Sequence, residues 1–245
     1  MKPSVKRYFQ RKGTVSIWWD PEKRDTLFRS EILRQTEIIN ALLKLEGLTI
    51  LDVAAGKGRL SISAATLGCR YMVAIDISLE MLLEARQRAR NMGVQEVVEF
   101  VLMDGERLAF RNDSFDLVAC LEALVHMPDV YAAIKEFSRV LKVGSFVVVT
   151  TTVPINLLYW FRYIERVNSW LRLKEWLITP IYSSTFYRER LRRWLRRPEP
   201  YGRDIHDSVL IHAFRTVGLG LVRRIPLDSQ KHPRMVLLVG RKDSF

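Results

Sequence analysis

Residues 49–58 read Thr-Ile-Leu-Asp-Val-Ala-Ala-Gly-Lys-Gly. The apolar pair Ile50-Leu51 leads into Asp52, small residues follow, and Gly56-Lys57-Gly58 opens an amphipathic helix. That pattern is a buried parallel strand, a tight turn and a helix N-terminus. Small residues at such a turn let a ligand approach the backbone closely. The helix start offers N–H groups that have no partner inside the helix.

The kind of ligand follows from what the stretch lacks. A dinucleotide fingerprint needs a third glycine three residues after the second, but Arg59, Leu60 and Ser61 follow Gly58. A phosphate loop ends in Gly-Lys-Ser/Thr, whereas Lys57 here precedes a glycine. Asp52 also ends the strand beside the turn, where a carboxylate repels a pyrophosphate and suits an ammonium. S-adenosylmethionine (SAM), with an amino group, a sulfonium and no phosphate, fits these constraints.

Working outward, the 245 residues make one generous domain or a domain with an insertion, enough to bury about 70–75% of the unfolded surface. The first residues, MKPSVKRYFQRKG, lack the apolar segment of a secretory signal. No apolar run approaches the ~18 residues of a membrane span. Cys69 and Cys120 make no disulfide framework, so buried thiols and a cytoplasmic protein are expected. The net charge of +12 is uneven: +5 over residues 1–24, −3 over 25–152, +6 over 153–202 and +4 over 203–245. A basic surface flanking a slightly acidic core points to an anionic partner, lipid or nucleic acid.

Apolar residues recur at helical spacing from Thr26 to Leu45, with Asp25 as N-cap and Gly47 as the end. A helix over 59–67 stops at Gly68. The run 71–75 is a second strand ending on Asp76, eighteen residues beyond Gly58. This is close to the ~20 expected for a carboxylate that holds ribose hydroxyls. Ser78 caps the next helix, with Met81, Leu82, Ala85 and Ala89 on one face and Gly93 at its end. Residues 97–103 form a third strand that runs into Asp104-Gly105. Residues 115–121 form a fourth, and Pro128 starts a helix over 129–141. Lys142-Val143-Gly144 turns into a fifth strand over 146–151. A helix near 205–217 and two strands, 219–227 and 235–239, close the chain as an antiparallel hairpin. Strands alternating with helices at this spacing imply a parallel doubly wound sheet, with ligands at the strands' carboxyl ends.

With LDVAAGKG at 51–58, Asp76, Asp104-Gly105 ahead of LAFRNDSFDLV, His126 in LVHMPD, and RVLKVGSFVVV at 139–149, the sequence resembles a class I SAM-dependent methyltransferase of the ubiquinone/menaquinone-biosynthesis type. The resemblance implies a Rossmann-like seven-stranded α/β sheet with an antiparallel terminal hairpin. It also implies SAM as cofactor and S-adenosylhomocysteine (SAH) as product. Asp52 and Gly56 would face the methionine part, with Ala54 and Gly58 in the same loop. Asp76, with Ile77 beside it, would meet the ribose, Asp104 and Gly105 the adenine, and the Leu121 backbone the amine. Asp76→Ala is then expected to weaken cofactor binding and leave unliganded stability almost unchanged. Glu122 and His126, read as one helical turn apart, are the candidate catalytic residues for substrate contact or base. Methyl transfer needs positioning and, for some acceptors, a base, but no covalent enzyme intermediate. His206, His212 and His232 are scattered, and no metal site is expected. Two departures stand out. Ala54 replaces the family's first loop glycine and is expected to keep a negative φ, and Lys-Val-Gly replaces the usual Lys/Arg-Pro-Gly turn.

The organisation expected is an N-terminal helical cap (1–48), a SAM-binding core (49–152), an insert after the fifth strand (153–202), and a last helix with the terminal hairpin (203–245). The insert carries Trp160, Trp170, Trp176 and Trp194 and ten Lys/Arg. Its apolar and arginine residues recur at helical spacing, as in a lid that packs on the core and touches a membrane surface or greasy substrate. Three function classes follow. One is a methyltransferase acting on a small hydrophobic, quinone- or lipid-like acceptor. Another is an RNA (tRNA) methyltransferase using the basic insert. The third is a SAM-binding module without catalysis. The lid reading makes peripheral membrane contact through 153–202 the preferred partner over RNA. The sequence sets no oligomeric state.

Overall fold

A computed structural model describes residues 26–152, 205, 207–227 and 235–244, with side chains from residue 34 onward. The N-cap expected at Asp25 and the lid expected over 153–202 lie outside the described residues. The elements in order are α1 (Thr26–Leu43), β1 (Thr49–Val53), α2 (Arg59–Thr66), β2 (Tyr71–Asp76), α3 (Leu79–Asn91), β3 (Val98–Leu102) and β4 (Phe115–Cys120). After a 3-10 turn (Leu124–His126) come α4 (Val130–Val140), β5 (Leu141–Thr152), α5 (Asp207–Thr216), β6 (Leu219–Pro226) and β7 (Met235–Lys242).

One seven-stranded sheet runs in the order β3-β2-β1-β4-β5-β7-β6. The pairs from β3 to β5 are parallel, and β7 is antiparallel to both β5 and β6. The terminal hairpin is therefore as expected. Strand order reverses beside β1 and β4, so their carboxyl ends open a crevice at the topological switch point.

The period-2 pleat sorts the strand residues into two cores. Leu51, Val53, Val73, Ile75, Val118 and Val147 face α4 and α5, with Phe137 and Phe214 fully buried among them. Ile50, Met72, Ala74, Leu117 and Val148 face the other way, against Ile39 of α1 and Leu60 and Ala64 of α2. Truncating either phenylalanine to Ala would cost about 3–5 kcal/mol, the usual loss for a buried aromatic. Asp52 shares the Ile50 face, which puts its carboxylate beneath α2 and not at the crevice.

Local signals hold at most element ends. Ser78 Oγ accepts from Met81 N at 3.4 Å, and Met81, Leu82, Ala85 and Ala89 are the buried residues of α3. Gly47, Gly68, Gly93 and Gly218 all take positive φ. Two details differ. The cap of α4 is Asp129, whose Oδ1 accepts from Ala132 N at 2.9 Å, so Pro128 precedes the helix and does not start it. Residues 142–144 lie inside β5, which follows α4 without a loop. The register shifts there: Phe115 pairs with Leu141, but Leu117 pairs with Phe146. Gly144, at φ 79°, sits within that irregularity. At the far end of β5, Thr151 Oγ1 donates to the Ile205 carbonyl at 2.7 Å.

Candidate active site

The crevice holds a cavity of about 200 Å³. Ala54, Gly56, Asp76, Ile77, Gly105, Leu121, Glu122 and His126 line it, together with residues that the sequence did not single out, among them Arg59, Met81, Met103 and Met127. Asp52, Gly58 and Asp104 are not among its lining residues.

The loop after β1 carries three positive φ angles: Ala54 at 58°, Gly56 at 56° and Gly58 at 76°. The negative φ expected of Ala54 is thus wrong. The turn needs the left-handed region whichever residue occupies it, and Ala55 N, one residue on, donates to the Ile75 carbonyl at 2.9 Å. A β-carbon makes that conformation unfavourable by about 1 kcal/mol. Gly58 caps α2 with no side-chain bond. A β-carbon added there would lie 3.1 Å from Ala85 Cβ, so this glycine lets α2 approach α3.

Asp76 joins two loops. Its Oδ2 accepts from Gly56 N and its Oδ1 from Ser78 N, both at 2.8 Å. Burial pushes its carboxyl upward, and the backbone N–H bonds oppose that. The same carboxylate that lines the cavity therefore also fastens the loop after β1 to the loop after β2. The two bonds predict that unliganded stability depends on Asp76, where the sequence alone predicts almost no change. Asp52, 3% exposed, accepts from Ser61 Oγ at 2.5 Å. Burial pushes it up to about 6, with the Ser61 bond and the Arg59 charge pulling the other way. Its place is behind the loop, where it ties β1 to α2.

After β3, Asp104 Oδ1 accepts from Glu106 N at 3.0 Å, and Glu106 Oε1 accepts from Asp129 N at 3.0 Å. Asp104 thus shapes its own turn. Gly105 does border the cavity, and a β-carbon there would fall 2.7 Å from Val53 Cγ1 and 3.0 Å from Met127 Cε.

Glu122 follows β4 at φ 60°. That left-handed residue breaks the chain before the 3-10 turn, so Glu122 and His126 are not one turn apart on a single helix. Glu122 N donates to Thr150 Oγ1 at 2.6 Å. Its Oε1 accepts from Gln35 Nε2 at 2.9 Å and from Arg59 Nη1 at 3.2 Å. Burial lowers the His126 pKa below the ordinary 6.5, so the imidazole is neutral at pH 7 and can accept a proton. Cys120 is buried, its thiol pushed upward by burial, which makes it inert.

Two signals for the missed residues were present. Arg59 is a cation at the first position of α2, where the helix dipole disfavours one, and this points to an anionic partner. Gln35 lies four residues before Ile39 on the apolar face of α1. Among the described residues no group of His, Cys, Asp and Glu could hold a metal ion.

Residues 51–149 match the family described as a methyltransferase domain. The chain is similar to a ubiquinone biosynthesis O-methyltransferase of Xanthomonas euvesicatoria pv. vesicatoria, 35% identical over 135 residues, which are 55% of this chain and 55% of the relative. It is also similar to a protein of the same name from Leptothrix cholodnii, 34% identical over 136 residues, 55% of this chain and 57% of the relative. The chain thus spans about half the length of the curated relatives it matches. Among solved structures it is similar to the magnesium protoporphyrin IX methyltransferase of Synechocystis PCC 6803 with bound SAH. There the TM-score is 0.67 at 19% identity, covering 99% of this chain and 100% of that one. At such identity the likeness is one of fold, the seven-stranded, Rossmann-like arrangement. Residues 51–149 are thus similar to a methyltransferase domain, and the fold around them is the one found in the Synechocystis methyltransferase.

Proposed function

We propose that the protein transfers a methyl group from SAM to the oxygen of a small apolar acceptor, quinone- or lipid-like. The observation that carries this reading is the cavity lining, where the apolar Met103, Ala123 and Met127 accompany His126, the one imidazole among the described lining residues. The Xanthomonas relative, named for an O-methylation in ubiquinone biosynthesis, supports the same acceptor class.

The residues present fit the cofactor. Asp76 offers a carboxylate for ribose hydroxyls, Ile77 and Met81 an apolar bed for a base, and Gly105 a stretch of bare backbone at the cavity edge. The loop over 54–57 and the Leu121 backbone, which line the same cavity, are assigned the methionine part. When bound, SAM supplies a methyl group already activated by its sulfonium. The chain's share of the work is to orient the acceptor and take its proton. His126, neutral at working pH, is assigned the proton of an acceptor hydroxyl. Glu122 already accepts from Gln35 and Arg59 and is assigned to hold the wall.

His126→Gln should lower kcat about a hundredfold and leave SAH affinity unchanged. Wild-type activity should rise with pH through a midpoint below 6.5 and then level off. The acceptor class is tested by incubating the protein and SAM with a hydroxylated quinone, a lipid extract and tRNA in parallel, and reading methyl gain by mass spectrometry. Methylation of the quinone or a lipid is the expected result. Methylation of tRNA alone would replace this reading with the RNA one, which the net charge of +12 favours, and no methylation of any acceptor would favour the binding-module reading. No helix among the described residues is long and apolar enough to cross a membrane. The peripheral contact proposed for 153–202 therefore rests on its tryptophans and arginines alone, and vesicle binding with a blue-shifted tryptophan emission would support it.

A further inference from the structure

Gln35 belongs to α1, ahead of the residues that match the methyltransferase family, and is 1% exposed. Both ends of its amide are engaged. Nε2 donates to Glu122 Oε1 at 2.9 Å, and Oε1 accepts from Arg59 Nη2 at 3.4 Å. Arg59 Nη1 closes the triangle on the same Glu122 oxygen at 3.2 Å. One amide orientation alone serves both neighbours: flipped, it would set donor against guanidinium and acceptor against carboxylate. The amide therefore fixes the polarity of the pair, with the cation at the start of α2 and the anion at the end of β4. Arg59 and Glu122 line the cavity, while Gln35 stands behind them.

An α-amino acid carries an ammonium and a carboxylate on one carbon. A guanidinium and a carboxylate held side by side on a cavity wall are its complement, Arg59 for the ligand carboxylate and Glu122 for the ammonium. The cations among the described lining residues are Lys57 and Arg59. Lys57 pairs with Glu84 of α3 at 2.7 Å, so Arg59 is the one paired within the wall. We propose that Gln35 is a positioning residue that holds Arg59 and Glu122 as a seat for the amino-acid end of SAM, making α1 part of the cofactor site. The proposal rests on the cavity being the SAM site. Side chains ordered in advance lose less rotamer freedom on binding, which is what a buried amide behind the pair supplies.

Calorimetry with two ligands tests it: SAH, and 5′-methylthioadenosine, which has the same adenosine and thioether but no amino-acid end. Gln35→Met keeps the length of the side chain and removes the bonds to Glu122 and Arg59, together with a weak one from Nε2 to Met235 Sδ at 3.6 Å. It should weaken SAH about tenfold and leave 5′-methylthioadenosine unchanged. Gln35→Asn retains the amide one methylene short. It should show the same pattern with a smaller loss, and it carries the test if the Met variant does not fold. Equal weakening of both ligands, or undiminished SAH binding, would overturn the proposal. If the wild-type protein binds 5′-methylthioadenosine but not SAH, the seat alone is wrong. If it binds neither, the cofactor site itself is misassigned and the proposal fails with it.

Discussion

On one side of the cavity, residues 54–57 and 76–78 hold each other. Asp76 takes both Gly56 N and Ser78 N, and Ala55 N reaches the Ile75 carbonyl. On the other side, residues 121–127 are held by side chains from elsewhere. Gln35, Arg59 and Thr150 reach Glu122 across 87, 63 and 28 residues of sequence. The first wall is a product of two neighbouring strand–loop–helix units, and the second is a product of the whole fold. Damage to the first should therefore appear in stability and cofactor affinity together. Damage to the second should be milder for the fold and more selective.

Asp76→Ala should have the largest effect. It strips one buried and one partly buried N–H group of a charged acceptor, and bonds to charged groups contribute about 1.5–3 kcal/mol each. Urea unfolding should show a loss of about 3–5 kcal/mol, and SAH affinity should fall about tenfold or more. An unchanged unfolding midpoint would mean that this wall stands without its carboxylate.

Asp52→Asn probes the support behind the same wall. The folded-state pKa of Asp52 is raised from 3.8 to about 6, so its contribution to stability is fully present below 3.8 and is lost as pH rises through 6. Asn keeps an acceptor for Ser61 and does not titrate. The variant should match wild type near pH 4 and exceed it by about 2–3 kcal/mol at pH 8, read from paired melts. An advantage that does not change with pH would assign the effect to packing.

Thr150→Val leaves Glu122 N without its acceptor while preserving shape. The cost should be about 1–2 kcal/mol, accompanied by weaker SAH binding if the second wall depends on that bond. The smallest effect is expected at Ala54→Gly. Relief of the positive φ outweighs the extra freedom of the unfolded chain, for a gain of about 0.5–1 kcal/mol. A loss there would show that the alanine methyl contributes packing that outweighs its strain.

The contrast between the walls also explains what could be read in advance. The alternation of strands and helices, the Ser78 cap and the helix ends at Gly68, Gly93 and Gly218 follow from local pattern, because period and turn chemistry act over a few residues. Asp76 was read from its spacing after Gly58, and Ile77 and Gly105 from the family resemblance; all three line the cavity. Asp52 was misplaced because alternation along β1 turns it to the α2 face, a parity that the loop motif does not display. Ala54 and Glu122 adopt left-handed backbone without being glycine, and no residue type announces that. Gln35 contacts the site only because α1 packs beside β1, a tertiary fact that no spacing encodes.

The bond from Thr151 to the Ile205 carbonyl has an evolutionary side. It pins together the points where the chain departs after β5 and returns before α5. With those two points fixed, the cost of any loop between them grows only slowly with its length. Doubling the length of such a loop costs only about 0.6 kcal/mol. Descendants of this chain could exchange, lengthen or rewrite the sequence between those points while the seven strands remain under separate selection.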